Sequence, residues 1–461
     1  MPNAINPSIF RAYDIRGKVG RDLTPEVLYQ IGRALGAQAL AQGQQQFNLA
    51  WDGRLSSPEL AKAMQEGLLD SGCDVHRLGM QPTGLLYFST FVLAAPNGVM
   101  ITGSHNPKDD NGIKMVLGQM ALSADEIQAL YQRIIENNLP SQARGKLTEQ
   151  DISALYLHKI SQSAQLARPL KVVIDAGNGV AGPLAIQLMK KLGVEAHFLH
   201  CDIDGNFPNH HPDPGIPENL ATLQRTVLAE QADLGLAFDG DGDRTALVDN
   251  QGKIIWPDRL LMLLVQDILP YHPGRTVLYD VKCSSLLRPL VEQLGGQAVM
   301  GATGHSLMKK QMRQHNALLG GEFSGHLYLN EGWYGFDDGL YVAARLLQAL
   351  SHYKQSSSEV FARFPEELST PEITINSTDQ RKFEIIECLA QDPAFLAGAQ
   401  VFKVDGLRIE FEQGWGLVRA SNTTPKLTLR FAGQNQAAIN DIQTRFKQAL
   451  KRQAPELEIT F

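Results

Sequence analysis

Short apolar runs alternating with stretches of helical periodicity, from the N-terminus to about residue 365, constrain this chain more than any other feature. Strands buried on both faces need helices to cover them, so the alternation predicts an α/β protein built on parallel sheet with crossover helices. Thr24-Pro25 opens one such helix, with Val27, Leu28, Ile31, Ala34 and Leu35 on one face and Gly43 closing it. Ser123 and Glu126 form a capping box ahead of Ile127, Leu130 and Ile134. Residues 171–176 read as a strand entering a helix near 183–192, Asp258 caps an apolar helix to Leu269, and residues 305–315 read as a further helix. After Pro371 the texture changes to alternating strands at 372–377, 401–404, 407–411 and 426–431, with Asp405-Gly406 as a two-residue hairpin signal and a terminal helix.

The chain has 461 residues, ample for several cores at roughly 150 residues per domain. Residues 99–116, 234–248 and 317–329 share one layout: an apolar run, a Gly-rich polar loop, and a second apolar stretch. This predicts three related α/β domains, 1–150, 151–253 and 254–367, and a C-terminal α+β domain, 368–461. Lys+Arg 42 against Asp+Glu 49 leaves a net charge of −7, with no basic surplus for nucleic acid or an anionic membrane. Any phosphate must therefore be bound locally. The four cysteines, Cys73, Cys201, Cys283 and Cys388, lie far apart with no C-x-x-C, as expected of reduced cytosolic thiols. The first 16 residues contain Arg11, Asp14 and Arg16, and the longest apolar run, 260–265, is flanked by Arg259 and Gln266. Neither a signal peptide nor a membrane span is expected, and the cytoplasm is the expected compartment.

The sharpest chemical signal is Asp239-Gly240-Asp241-Gly242-Asp243-Arg244, at the end of an apolar run. Carboxylates at i, i+2 and i+4 can converge on one side of an extended segment, and three oxygen donors suit Mg²⁺. An EF-hand needs Gly at its sixth position and Glu at its twelfth, where this chain has Arg244 and Asn250. In Thr102-Gly103-Ser104-His105-Asn106-Pro107, a serine follows a buried strand with His105 beside it and Lys114 ten residues on. It is placed as a nucleophile or phosphate acceptor would be, without the G-x-S-x-G of a serine hydrolase. Gly321-Glu322-Phe323-Ser324-Gly325-His326 offers acceptor, hydroxyl and imidazole, the groups that read sugar hydroxyls. Arg419-Ala420-Ser421-Asn422-Thr423-Thr424-Pro425 combines a guanidinium with hydroxyls and an amide, as a phosphate cradle would.

A competing signal is Gly177-Asn178-Gly179-Val180-Ala181-Gly182, which follows a strand and opens a helix, with Asp202 twenty residues past the last glycine. That satisfies the dinucleotide fingerprint of a nicotinamide-dependent dehydrogenase. A tight turn whose glycines allow close helix–strand packing is the preferred reading, because the fingerprint explains none of the four loops. A non-catalytic sugar-phosphate sensor is a further alternative, opposed by the presence of Ser104 and all three aspartates.

Taken together and in order, these loops resemble the α-D-phosphohexomutase superfamily, and within it the bacterial phosphomannomutase/phosphoglucomutase group. The likeness includes Phe10-Arg11-Ala12-Tyr13-Asp14-Ile15-Arg16-Gly17, the stretch 204–214, and Gly335-Phe336-Asp337-Asp338-Gly339. Two positions depart from the group's pattern: Trp51 ahead of Asp52-Gly53-Arg54, where Arg is common, and Phe323, where Met, Glu or Gln is common.

The resemblance implies four domains round a deep cleft and a phosphoserine at Ser104. It implies Mg²⁺ on Asp239, Asp241 and Asp243 with phospho-Ser104 as a further ligand, and Tyr13, Arg16, His105, Lys114 and Arg244 near the transferring phosphoryl group. Glu322, Ser324 and His326 would read the sugar with Lys282, His305 and Asp337, and Arg419, Ser421, Asn422 and Thr423 would hold the non-reacting phosphate. The implied activity is reversible phosphoryl transfer between the 1- and 6-positions of glucose and mannose phosphates, with glucose 1,6-bisphosphate as activator. A monomer is expected, with hexose phosphates as its partners and neither nucleic acid nor membrane.

Overall fold

The computed structural model describes residues 5–139, 142–421, 424–459 and 461, and they form four sheets. The strands of the first, third and fourth sheets lie within 1–150, 254–367 and 368–461, but the second sheet runs past the expected boundary at 253, because Ile254–Ile255 pairs antiparallel with Thr245–Asp249 and completes its edge. The first has the strand order Ile15–Lys18, Asp110–Leu117, Asn97–Ile101, Gln46–Trp51, Asp74–Met80, Leu147–Glu149. The second runs Ile254–Ile255, Thr245–Asp249, Leu234–Phe238, Lys171–Asp175, Glu195–Leu199. The third runs Gln297–Gly301, Thr276–Asp280, Leu319–Gly321, Leu327–Leu329, and the fourth is antiparallel throughout.

The first three sheets are mixed rather than wholly parallel. Asn97–Ile101 pairs antiparallel with Asp110–Leu117, Leu234–Phe238 with Thr245–Asp249, and Leu319–Gly321 with Leu327–Leu329. In all three, the first strand of the hairpin also lies parallel to an interior strand. Each of these three loops therefore leaves the carboxyl end of a parallel strand, where open α/β sheets place their ligands, and returns through an antiparallel neighbour.

Local signals explain the helix ends. Thr24 accepts from Val27 N at the start of Pro25–Ala41, and Ser123 with Glu126 forms the reciprocal capping box of Ala124–Ile135. Asp258 is not a cap. The helix Pro257–Ile268 starts two residues earlier, capped on Trp256, because Pro257 supplies the fixed φ of a first turn; the Asp258 carboxylate instead accepts from Ser284 N at 3.0 Å. The Asp405-Gly406 hairpin is wider than two residues, since Phe402 pairs with Arg408. Asp405 turns away to accept from Thr303 N and Arg419, which opens the turn.

One apolar core runs through the first three units and reaches Trp415, Leu417 and Ala432 of the fourth. The buried Arg408 docks the fourth unit on the third by donating to Val281 O at 2.8 Å and Cys283 O at 2.6 Å, with its guanidinium 3.9 Å from the Trp415 ring. Cys73, Cys201, Cys283 and Cys388 are all free thiols. No described helix is long and apolar enough to cross a membrane.

Candidate active site

Ser104 is buried at the tip of the first hairpin loop with φ 48°, a left-handed conformation rare for a side-chain-bearing residue. Two residues that the sequence reading named but gave no role, Asp52 and Arg54, hold it there. Asp52 accepts from Gly103 N at 3.0 Å and Thr102 Oγ1 at 2.8 Å. Arg54, 1% exposed, donates to the carbonyls of Ser104, Asn106, Pro107 and Asp110 at 2.6 to 3.0 Å. Gly103 is required because a Cβ there would lie 2.3 Å from the Arg54 guanidinium carbon. The signal was present as Asp52-Gly53-Arg54 one strand away, but only the fold shows that the motif faces the serine loop.

The second hairpin loop meets the first: Ser104 Oγ donates to Asp239 Oδ2 at 2.8 Å. Asp239, Asp241 and Asp243 are buried, and one oxygen from each lies within 4.8 Å of the others. Burial and repulsion from Asp241 and Asp243 push the Asp239 carboxyl well above the usual carboxylate range. Burial also opposes ionisation of Asp241, but the Lys114 ammonium at 2.7 Å and the Thr83 hydroxyl at 2.7 Å outweigh it and hold that carboxyl low. Lys114 also bonds Asp243. Single Lys114 contacts do not use all the oxygens, and Asp241 Oδ1 and Asp243 Oδ1 are buried without hydrogen-bond partners. Converging anionic oxygens with orphaned lone pairs fit a hard divalent cation.

From this cluster a polar chain crosses into the third unit. Arg244 Nε donates to His326 Nε2 at 3.0 Å, and His326 Nδ1 lies 3.0 Å from Asp337 Oδ2. Lys309 links Asp337 Oδ1 at 2.7 Å, His305 Nδ1 at 3.2 Å and Tyr87 OH at 3.1 Å. Lys309 was missed by the sequence reading, although it stands four residues past His305 on the expected helix and so on the same face. Burial and the Lys309 charge depress the His305 pKa well below normal, which leaves the imidazole neutral. Glu322 accepts from Gly304 N at 2.8 Å and from Tyr328 OH. His305 Nε2 and Ser324 Oγ are buried without partners, as expected of groups shaped to meet ligand hydroxyls.

The remaining residues border this constellation. Arg16 pairs with Asp14 at 2.7 Å and reaches Thr102 O at 3.3 Å. His105 Nδ1 lies 2.9 Å from Asp213 Oδ2, and burial with the Arg244 charge lowers the histidine pKa to about 4. The Tyr13 ring packs on Gly304, where a Cβ would come within 2.7 Å of it. Lys282 lies 3.5 Å from Glu372 and lines a cavity of about 410 Å³ together with Arg244, Ser324 and Phe323. Phe323 stacks near Trp256 and lies 3.4 Å under the Arg430 guanidinium, which fixes the sugar-type loop against the fourth unit. Arg419 pairs with Asp405 at 2.9 Å, and Lys382 supports the neighbouring turn by donating to Ser421 O at 2.8 Å. Asn422 and Thr423 lie outside the described residues.

The Gly177 turn does not form a phosphate cradle. A Cβ on Gly179 would sit 2.9 Å from Gly240 O, and one on Gly182 would sit 2.1 Å from Cys201 O. Val180 N donates to Gly240 O at 3.1 Å, so these glycines let the turn pack directly under the carboxylate loop.

A buried serine facing a carboxylate cluster, with lysine and arginine around it and unpaired hydroxyl-reading groups opposite, defines an enzyme that moves phosphoryl groups on sugars. Family descriptions of the phosphoglucomutase/phosphomannomutase alpha/beta/alpha domains I, II and III match residues 7–140, 154–252 and 256–368, and the C-terminal domain matches 373–449. A phosphomannomutase/phosphoglucomutase from Pseudomonas putida is 52% identical over 461 residues, covering 100% of this chain and 99% of that protein. A phosphoglucomutase from Neisseria gonorrhoeae is 48% identical, covering 97% and 98%. The crystal structure of a Burkholderia thailandensis phosphoglucomutase/phosphomannomutase family protein superposes with a TM-score of 0.95 at 45% identity, covering 99% of this chain and 100% of that one. The chain belongs to the phosphoglucomutase/phosphomannomutase family. It is a phosphohexomutase, an isomerase of carbohydrate metabolism.

Proposed function

We propose that this enzyme interconverts the 1- and 6-phosphates of glucose and mannose through phospho-Ser104 and a hexose 1,6-bisphosphate, as a monomer in the cytoplasm. The observation that carries the reading is the approach of Ser104 Oγ to Asp239 at 2.8 Å, inside a ring of Lys114, Arg16 and Arg244. Phosphoserine brings a charge of about −1.5 to −2, so a second phosphate dianion can enter only where cations await it. Asp239, Asp241 and Asp243 would hold Mg²⁺ with phospho-Ser104, and the ion would supply charge neutralisation there.

This chain's own residues do the rest. Glu322, Ser324 and His326 present acceptor and donor groups to the sugar hydroxyls, with His305, Lys282 and Asp337 around them. The substrate's free hydroxyl takes the phosphoryl group from Ser104, and the bisphosphate then turns so that its other phosphate returns to the serine. The loop of Arg419, Ser421, Asn422 and Thr423 grips whichever phosphate is not reacting, so one clamp serves both orientations, while Tyr13 stands with Arg16 near the transferring phosphoryl group. His105, neutral and held at Nδ1 by Asp213, keeps Nε2 available for a proton. We assign these roles to residues 1–150, 151–253, 254–367 and 368–461 as four units contributing one loop each. The test is a coupled assay of glucose 1-phosphate and mannose 1-phosphate with Mg²⁺ and glucose 1,6-bisphosphate as activator. Turnover of both is expected, and absence of turnover with either sugar would overturn the substrate assignment.

A further inference from the structure

Outside the catalytic cluster, three metal-ligating side chains meet at one edge of the second sheet. Strand Lys171–Asp175 ends at Asp175, which lies opposite Leu199 on the neighbouring parallel strand Glu195–Leu199. His200, the next residue, therefore reaches the same edge, and it does so with φ 50°. His210 arrives from the 204–214 stretch. One donor atom from each of Asp175, His200 and His210 lies within 4.8 Å of the others. The two imidazoles stand edge to face, 5.4 Å between centroids.

Hydrogen-bond polarity shows what this group lacks. His210 Nδ1 lies 2.9 Å from His211 O, and a carbonyl only accepts, so Nδ1 carries the proton. The lone pair of a neutral His210 at Nε2 then faces the Asp175 carboxylate oxygens at 3.1 and 3.2 Å, acceptor against acceptor. A cation between them removes that conflict. A proton on His210 would also do so, and against the effect of burial the Asp175 carboxylate raises the His210 pKa; the His200 imidazole beside this pair adds a further lone-pair donor that an ion pair leaves unused and a metal ion takes up. The 3.1 Å separation matches the spacing of about 3.3 Å between ligands on a tetrahedral ion bound at roughly 2.0 Å. The Nδ1 hydrogen bond to a carbonyl is also the outer contact that orients metal-bound histidines.

We propose that Asp175, His200 and His210 form a binding site for a divalent transition ion of the Zn²⁺ class, separate from the all-oxygen catalytic cluster. Its place gives it a role. Beyond His210, His211 Nε2 contacts His105 O at 2.5 Å and Asp213 holds His105 Nδ1 at 2.9 Å. An ion bound here pins the segment that orients the serine loop's histidine.

The test uses the full chain with excess Mg²⁺, which prefers oxygen donors, and titrates Co²⁺ as a visible probe with Zn²⁺ as competitor. One equivalent of Co²⁺ with four-coordinate ligand-field absorption is expected, displaced by Zn²⁺ and retained in Asp239→Asn. His200→Asn, in which asparagine tolerates the left-handed backbone, and His210→Gln should each weaken Zn²⁺ at least about tenfold while melting as the parent does. No Co²⁺ uptake by the Mg²⁺-saturated protein, equal uptake in His200→Asn, or loss of uptake in Asp239→Asn would overturn the proposal.

Discussion

Ser104 Oγ and Asp239 Oδ2 stand 2.8 Å apart although 135 residues separate them, each at the tip of a hairpin in a different sheet. That contact joins a candidate phosphoryl carrier to a candidate metal ligand. Ser104→Ala should therefore remove the carrier without disturbing the fold, because Asp52 and Arg54 hold the loop through its backbone and through Thr102. Mutase turnover should fall below about a thousandth of the parent value. Phosphopeptide mapping of the parent should place the phosphate on Ser104, and a phosphate found elsewhere would refute this.

Chelation should stop turnover, and added Mg²⁺ should restore it. The three buried carboxylates have Lys114 and Arg244 nearby but two oxygens left without partners. Calorimetry should detect one Mg²⁺ per chain, and Asp241→Asn should abolish that binding. Full activity in a metal-stripped preparation would contradict the assignment.

Arg54→Met should cost about 3 to 5 kcal/mol of stability, since it strands the buried Asp52 carboxylate and frees four carbonyls. Arg54→Lys should recover little, because a point-like ammonium cannot reproduce the guanidinium fork. Urea unfolding midpoints of the two variants measure both effects.

Asp338 predicts a pH effect on stability. Its side chain is buried, accepts from Tyr156 OH at 2.7 and 2.8 Å and caps the helix Gly339–Ser351; burial lifts its carboxyl to about 7 against these hydrogen bonds. An acid whose folded pKa exceeds its unfolded value of 3.8 holds its extra proton only when folded, so this stabilisation is complete below about pH 4 and lost as pH rises to about 7. Asp338→Asn should lack that slope. The stability difference, variant minus parent, should grow across this window in denaturant titrations; a difference independent of pH would refute it.

Arg419→Ala should weaken binding of 1- and 6-phosphates alike, by roughly ten- to hundredfold, and should raise the release of free bisphosphate per turnover. Asp405 neutralises Arg419 through its Nε and Nη2 groups, so Asp405→Asn, which can still accept from Thr303 N, should lower KM for both isomers. An effect confined to one isomer would disprove a single clamp.

Much of the candidate site was legible because its signals are short-ranged. The Thr24 cap, the Ser123–Glu126 box and the spacing of Asp239, Asp241 and Asp243 each depend on residues within a few positions of one another, where backbone geometry leaves little choice. The misread elements were decided by distant partners. Asp258 was taken from its expected cap by Ser284 N, and Asp405 was pulled from a tight hairpin by Thr303 and Arg419. The roles of Arg54, Thr83 and Lys309 rest on partners 28 to 158 residues away, the Ser104 carbonyl, Asp241 and Asp337, so the local spacing to Asp52 or His305 did not reveal them.

By itself the sequence determined which loops carry carboxylate, hydroxyl, imidazole and guanidinium groups, and that each follows an apolar strand. Only the tertiary structure decided that the Ser104 and Asp239 loops meet, that Lys114 neutralises Asp241 and Asp243, and that the Gly177 turn lies under the carboxylate loop rather than around a dinucleotide. The physical reason is the range of the forces involved. Strand, turn and cap preferences act over a few residues and can be read in order along the chain. Which buried charge faces which is set by packing separate sheets against one another, where an unpaired carboxylate or ammonium is too costly to leave alone.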